Sequence, residues 1–202
     1  MKRSFLLLFL CTSAFIYSQE IPRITIKTAP VSFLYVNPGF TINLGTEIRF
    51  AKKLSIDMNY AKSIRNSLER AKVELRIYEP FHFTYGTGVY IAFGYLYKYQ
   101  RFQYWDYIGY EPDTRYRKDY ELQKYVNAAD IKVGINLYND HFTLDPFVGI
   151  GMRYKSVYAL GLTEKEIDDR DIGSPERMFF SEVGKYWRPD ITIGFNVGYR
   201  LW

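Results

Sequence analysis

The chain has 202 residues, a net charge of +5, and 19% aromatic residues, including 20 Tyr and 15 Phe. One cysteine, Cys11, excludes an intrachain disulfide framework, and no basic run of the kind that grips nucleic acid occurs. Apolar residues reach 48%, yet after the first twenty positions no stretch stays apolar for the ~20 residues a transmembrane helix needs.

The first element is a leader. MKRSFLLLFLCTSAFIYSQE places Lys2 and Arg3 before an apolar run that starts at Phe5 and extends to about Tyr17, with Ser18 before Gln19. This is the layout of a secretory signal peptide over 1–18, which leaves 19–202 as one exported domain. Leu10 stands before Cys11 where a lipid-attachment box needs a small residue, so lipidation is rejected.

Strand-like alternation begins next. ITIKTAPVSFLYV, 24–36, puts Ile24 and Ile26 on one face and then switches to Val31, Phe33 and Tyr35 after Ala29-Pro30. Proline cannot donate to a ladder, so a bulge at Pro30 is expected. TINLGTEIRF, 41–50, sets Ile42, Leu44, Ile48 and Phe50 opposite Thr41, Asn43, Gly45, Glu47 and Arg49. LSIDMNYA, 54–61, sets Leu54, Ile56, Met58 and Tyr60 opposite Ser55, Asp57 and Asn59. KVELRIY, 72–78, sets Val73, Leu75 and Ile77 opposite Lys72, Glu74 and Arg76. FHFTYGTGVYIAFGYLYKY, 81–99, is large and mostly apolar at odd positions and mostly small at even ones, with Gly86, Gly88 and Gly94. ADIKVGINLY, 129–138, then 142–158, then ITIGFNVGYRLW, 191–202, repeat the pattern. A period of two is that of a β-strand with two unlike faces.

The connections alternate as well. Tight turns are expected at 51–53, 79–80 and 139–141, and long polar loops at 62–71, 102–122 and 161–189. Eight alternating strands, Tyr-rich and joined by short turns and long loops in turn, imply an all-β, eight-stranded antiparallel up-and-down transmembrane barrel. The strand count places the C-terminus in the periplasm and the long loops outside the cell.

The ending VGYRLW resembles the C-terminal strand signature of outer-membrane β-barrels, with Trp202 one residue out of the apolar phase set by Tyr199 and Leu201. Lys27-Thr28, Pro38, Leu44-Gly45-Thr46-Glu47 and Lys52-Lys53 resemble an uncharacterised family of small Gram-negative outer-membrane barrels of the OmpX or OmpA-transmembrane kind. The resemblance implies insertion by the barrel-assembly machinery and transfers no catalytic residue.

Parity assigns the charges. Glu47, Arg49, Asp57, Glu74, Arg76, Asp130, Lys132, Asp145, Arg153 and Arg200 should face the lumen. Eight strands leave room for side chains only, and an unpaired charge there costs several kcal/mol. The matched set reads as a plug of paired charges, with a gated ion path as the alternative. In the loop expected at 102–122, Tyr104, Trp105, Tyr107, Tyr110, Arg115 and Arg117 read as an aromatic girdle with basic neighbours meeting lipopolysaccharide phosphates, or more sharply as a partner surface. The carboxylates of TEKEIDDRDIGSPE fit no calcium-loop spacing. His82 and His141 fall at the short-turn end, away from where an enzyme acting on lipid A would need its acid–base group. The expected role is structural or partner- and ligand-binding at the cell envelope, beside outer-membrane lipid or within a larger membrane complex. No catalysis, cofactor, metal or nucleic acid is expected. The alternatives are a small pore and, further off, a lipid A-modifying enzyme.

Overall fold

The computed structural model describes residues 23–29, 41–63, 67–78, 87–109, 115–169 and 182–201. Its strands are β1 (Arg23–Thr28), β2 (Thr41–Ala51), β3 (Leu54–Ser63), β4 (Leu68–Tyr78), β5 (Thr87–Ile108), β6 (Tyr116–Tyr138), β7 (Phe142–Leu160) and β8 (Gly184–Arg200). One short helix, α1 (Glu164–Asp168), lies between β7 and β8. Each strand pairs antiparallel with the next, and β1 pairs with β8, so the sheet closes into a barrel in chain order. Closure leaves no free edge along the paired length.

The pairing register explains the alternation. One hydrogen-bonded row runs Ile24, Ile48, Ile56, Leu75, Phe93, Ile131, Ile150, Ile191 around the barrel. These residues point outward, with Ile150 68% and Ile191 72% exposed. The rows beside this one on the outer face, among them Leu54, Ile77, Ile91, Val133, Val148 and Ile193, are apolar too. An all-β chain that turns its greasy side outward holds a polar interior.

Aromatic rings cluster at both margins of the apolar band. Phe142 packs edge-on against Tyr199, 5.5 Å between ring centroids, beside the β6–β7 turn. At the other margin Tyr60, Tyr97, Tyr154 and Trp187 share one row, with Tyr154 and Trp187 rings 5.0 Å apart.

Strand length divides the barrel. β2, β3 and β4 have 11, 10 and 11 residues, whereas β5 and β6 have 22 and 23. β5 and β6 are thus about twice as long as β2 to β4. Their surplus forms a hairpin, flanked by β7 and β8, that rises beyond the aromatic row at the end opposite the tight turns.

This corrects the expected loops. Residues 102–108 and 116–122 are strand, as are 184–189, 62–63 and 68–71. The period of two continues through the hairpin, with Phe102, Tyr120 and Leu122 inward and Arg101, Gln103, Trp105 and Asp119 outward. Its outer face is polar because it stands clear of the apolar band. The contrast that marks the lower strands is therefore inverted, and the segment resembles a loop. The turns expected at 51–53 and 139–141 are present, while 79–80 and the Pro30 bulge fall outside the described residues, as do the leader and His82. α1 occupies part of the expected 161–189 loop and is fixed by a capping box between Thr163 and Glu166.

Candidate functional site

The inner face sorts by charge into rows. Glu47, Asp57, Glu74, Gly94 and Asp130 lie on one hydrogen-bonded row, with Thr25 before them and Gly151 and Asp190 after. The next inward row towards the tight turns holds Arg23, Arg49, Ser55, Arg76, Ala92 and Lys132. The inward row on the opposite side holds Lys27, Gly45, Asn59, Lys72, then Arg153 and Arg188. One acidic row is thus held between two basic ones.

Side chains close this sandwich. The fully buried Arg76 guanidinium reaches Asp145 at 2.6 Å, Glu74 at 2.8 Å, Asp57 at 3.1 Å and Glu47 at 3.3 Å. Lys27 bonds Glu47 and lies 3.2 Å from both Asp57 and Asp145. Lys132 bridges Glu74 at 2.6 Å and Asp130 at 3.1 Å, and Lys72 bonds Glu74. Three hydroxyls complete the shell. Tyr78 and Ser55 donate to Glu47 Oε1 at 2.5 and 2.6 Å, and Tyr90 donates to Asp145 Oδ1 at 2.5 Å. The Arg76 guanidinium also rests 4.5 Å over the Tyr90 ring.

Glycine makes this density possible at two points. A Cβ on Gly94 would collide with the Asp130 carboxylate, and one on Gly134 with the Tyr90 ring. Below the network, the space among Arg23, Glu47, Arg49, Asn136 and Arg200 is about 10 Å³, room for one water. Paired charge fills the lumen around Arg76, and nearer the tight turns Arg49 and Arg200 rest over tyrosine rings.

The upper lumen differs. A space of about 650 Å³ beside β8 touches Asn43, Asn59, Arg70, Lys72, Asp130 and Arg153 on the inner face and reaches the outward Ile191 and Ile193. The inward row above it runs Asn43, Ala61, Arg70, Lys98, Val126, Lys155, Tyr186. The row above that brings in Gln100, Lys124 and Val157. Still higher, Tyr120, Leu122 and Val157 form an apolar cluster with Phe102, Tyr104, Ala159, Leu162, Val183 and Tyr186.

All ten residues expected in the lumen point inward. Glu47, Asp57, Glu74, Arg76, Asp130, Lys132 and Asp145 join in one network. Arg49 lies 3.9 Å over the Tyr78 ring and Arg200 4.7 Å over Tyr138, both nearer the tight-turn mouth. Arg153 stands above the network and pairs with Asp190 at 3.4 Å. Sequence reasoning missed Lys27, whose face was obscured by the phase change at Ala29-Pro30. Parity places Tyr90 inward without showing its phenol on Asp145, and it leaves Tyr78, at the end of its run, without a partner on Glu47.

The expected outer-loop residues are mostly on the hairpin strands. Trp105 is 63% exposed, with the Arg117 guanidinium 4.3 Å over its ring. Tyr104 turns the other way and stacks on Tyr120 at 5.7 Å. Tyr107 pairs with Arg117 in the ladder, and Arg115 is exposed just before β6. Tyr110 lies outside the described residues. His141 is exposed in the β6–β7 turn and stacks on Tyr199 at 5.7 Å. Among the described residues no group of His, Cys, Asp and Glu has the arrangement of a metal site. Glu166 is instead committed to α1 and the hairpin, accepting from Lys118 at 2.6 Å, Tyr116 at 2.7 Å and the Thr163 backbone N–H at 2.7 Å.

No protein-family model, no curated protein and no solved structure matches this chain.

Proposed function

We propose that the chain is an integral outer-membrane β-barrel, plugged in its lower half, that acts structurally or as a binding partner at the cell envelope. One observation carries this reading. A closed eight-stranded sheet wears its apolar rows outside and buries a paired ion network inside. In water the exposed apolar band would be a severe aggregation hazard. In a bilayer it is the required surface, and the aromatic rows at its margins suit the two interfaces. No described helix is long and apolar enough to cross a membrane, and a barrel crosses with strands. The tight turns and C-terminus would then face the periplasm, and the β5–β6 hairpin the exterior.

The partner surface in this reading is the outward face of that hairpin, where Trp105 and Arg117 stack. Large rigid aromatics beside arginine supply much contact energy at interfaces. Lipopolysaccharide phosphates or a neighbouring envelope protein would meet it.

The test is fractionation and reconstitution. The protein is expected in the outer-membrane fraction, with a heat-dependent gel mobility, and to carry no steady current across a planar bilayer. Recovery in the soluble periplasm would sink the membrane assignment. A stable, large unitary current would sink the plug.

A further inference from the structure

Three arginines at the tight-turn mouth of the lumen stay out of the ion network. Arg23 and Arg49 stand directly opposite each other across the β1–β2 ladder, and Arg200 faces Thr25, the next inward residue of β1. Like charges opposed in a ladder repel, and Arg23 and Arg49 are the foremost charged neighbours of Arg200, ahead of Glu47. Arg49 and Arg200 rest over the Tyr78 and Tyr138 rings, contacts that leave their charge in place. Among the described residues none of the three forms an ion pair. Glu47 borders the same space, but its two oxygens are taken by Lys27, Arg76, Tyr78 and Ser55. The five carboxylates of the network meet four cations, so its surplus of one offsets one of the three arginines and leaves two.

The mouth is also shaped as a site. The space of about 10 Å³ is bordered by all three arginines and by Thr143, each of them on the inner face. Thr143 is 3% exposed, and its Oγ1 has no hydrogen-bond partner among the described residues. A buried hydroxyl of this kind calls for a partner. The space admits one oxygen atom and no larger group. A ligand would therefore place a single oxygen beside the Thr143 hydroxyl and keep the rest of itself at the arginine rim. Arg23 is exposed at that rim, while Arg49 and Arg200 are half-buried.

We infer that this mouth docks an acidic peptide segment of a protein partner, whose carboxylates meet the guanidinium forks of Arg23, Arg49 and Arg200. A guanidinium matches a carboxylate through two parallel hydrogen bonds. Two neighbouring Asp or Glu side chains on one segment would neutralise the two charges left over. The closed wall separates the space from the apolar band, which lies on the other face of the sheet. The ligand therefore arrives along the barrel axis from water and not sideways from lipid. The site stands on this geometry alone, and the membrane reading adds only that the mouth opens to the periplasm.

The experiment titrates the refolded full-length barrel, in zwitterionic detergent, into a fluorescent hexaglutamate peptide with an amidated C-terminus, read by anisotropy. Inorganic phosphate is titrated separately by calorimetry. Saturable peptide binding is expected at low salt, weakening as salt rises. It should fall at least about tenfold in Arg23→Gln/Arg200→Gln, the loss of charge-assisted hydrogen bonds. Thr143→Val removes one hydroxyl and no charge, and should weaken binding about threefold, which a diffuse basic surface would not show. Lys185→Gln, outward on β8, should bind as the parent does. If the double variant does not fold, Arg23→Gln alone, at an exposed residue, supplies the comparison. Phosphate binding through the same arginines without peptide binding overturns the assignment to a peptide. No peptide binding at low salt, equal weakening by Lys185→Gln, or binding unchanged in the arginine and Thr143 variants overturns the site.

Discussion

The two halves of the lumen obey one rule of parity and come to opposite ends. Below, an acidic row lies between basic rows, and five carboxylates, Glu47, Asp57, Glu74, Asp130 and Asp145, meet Lys27, Lys72, Arg76 and Lys132. Above, the inward rows carry Arg70, Lys98, Lys155 and Lys124 and, among the described residues, no carboxylate of their own. The difference teaches that an inward charge has no fixed meaning. Its partner one row away decides whether it joins the buried ion network.

The largest expected effect comes from breaking the lower half. Arg76→Met removes one guanidinium from four carboxylates and leaves them buried, which costs about 3–5 kcal/mol when a single partner of a buried ion network is deleted. Lys155 in the upper half has Arg153 and Arg188 as its foremost charged neighbours, with Asp190 and Glu182 after them, so Lys155→Met should cost far less than Arg76→Met. Urea unfolding in lipid vesicles measures both. Equal losses from the two variants would erase the distinction between the halves.

The outer face gives the second comparison. Ile150 sits on the mid-band row, and Ile150→Arg should cost roughly 2–4 kcal/mol, as arginine does near a bilayer midplane. Gln123→Arg lies outward on the same sheet but on the hairpin, and should stay within about 0.5 kcal/mol, the usual range for a surface change. An equal cost at both positions would mean that the apolar band does not end at the aromatic row.

How far the sequence foretold this follows from the same physics. Strand phase is local, since it needs only a few consecutive residues, so alternation alone turns Glu47, Asp57, Arg76 and Lys132 inward. Register is not local. That Glu47, Asp57, Glu74 and Asp130 form one row depends on five strands at once, and the layered charge was invisible before pairing was known. The hairpin strands are hidden in the sequence for a third reason. At Arg101, Gln103, Asp119 and Glu121 the outer face stands beyond the apolar band, so the polarity contrast that marks the lower strands reverses while the period persists. Loop-like composition there masked a strand.

A smaller effect separates function from fold on the hairpin. Trp105→Ala removes an exposed ring stacked on Arg117 and no buried contact, so stability should change by less than about 0.5 kcal/mol. If the hairpin is the partner surface, recovery of envelope partners on the tagged barrel should fall. Tyr104→Ala, which strips a ring from the inner stack with Tyr120, should loosen the hairpin instead. Undiminished recovery with Trp105→Ala would move the partner surface elsewhere.

The smallest effect concerns the strap over the hairpin. Hydrogen bonds from Lys118, then from the Thr163 backbone and from Tyr116, hold the Glu166 carboxyl well below its ordinary 4.5, at about 2. A second tie joins the Gly109 N–H to the Asp169 carbonyl at 2.9 Å. The carboxyl titrates lower when docked than when released, so docking is favoured in full above about pH 4.5 and the contribution fades as pH falls towards 2. Glu166 is half-buried in a surface contact outside the strands of the barrel wall, so water and salt still screen the effect and the barrel beneath should not respond. Amide exchange around 163–169 should therefore quicken between about pH 4.5 and 2, beyond the intrinsic acid dependence, while strands β2 to β4 stay protected. Glu166→Gln should show the faster exchange already at neutral pH and lose the acid response. An identical acid profile in parent and variant would remove Glu166 as the latch and leave the Gly109–Asp169 bond to hold α1 against the hairpin.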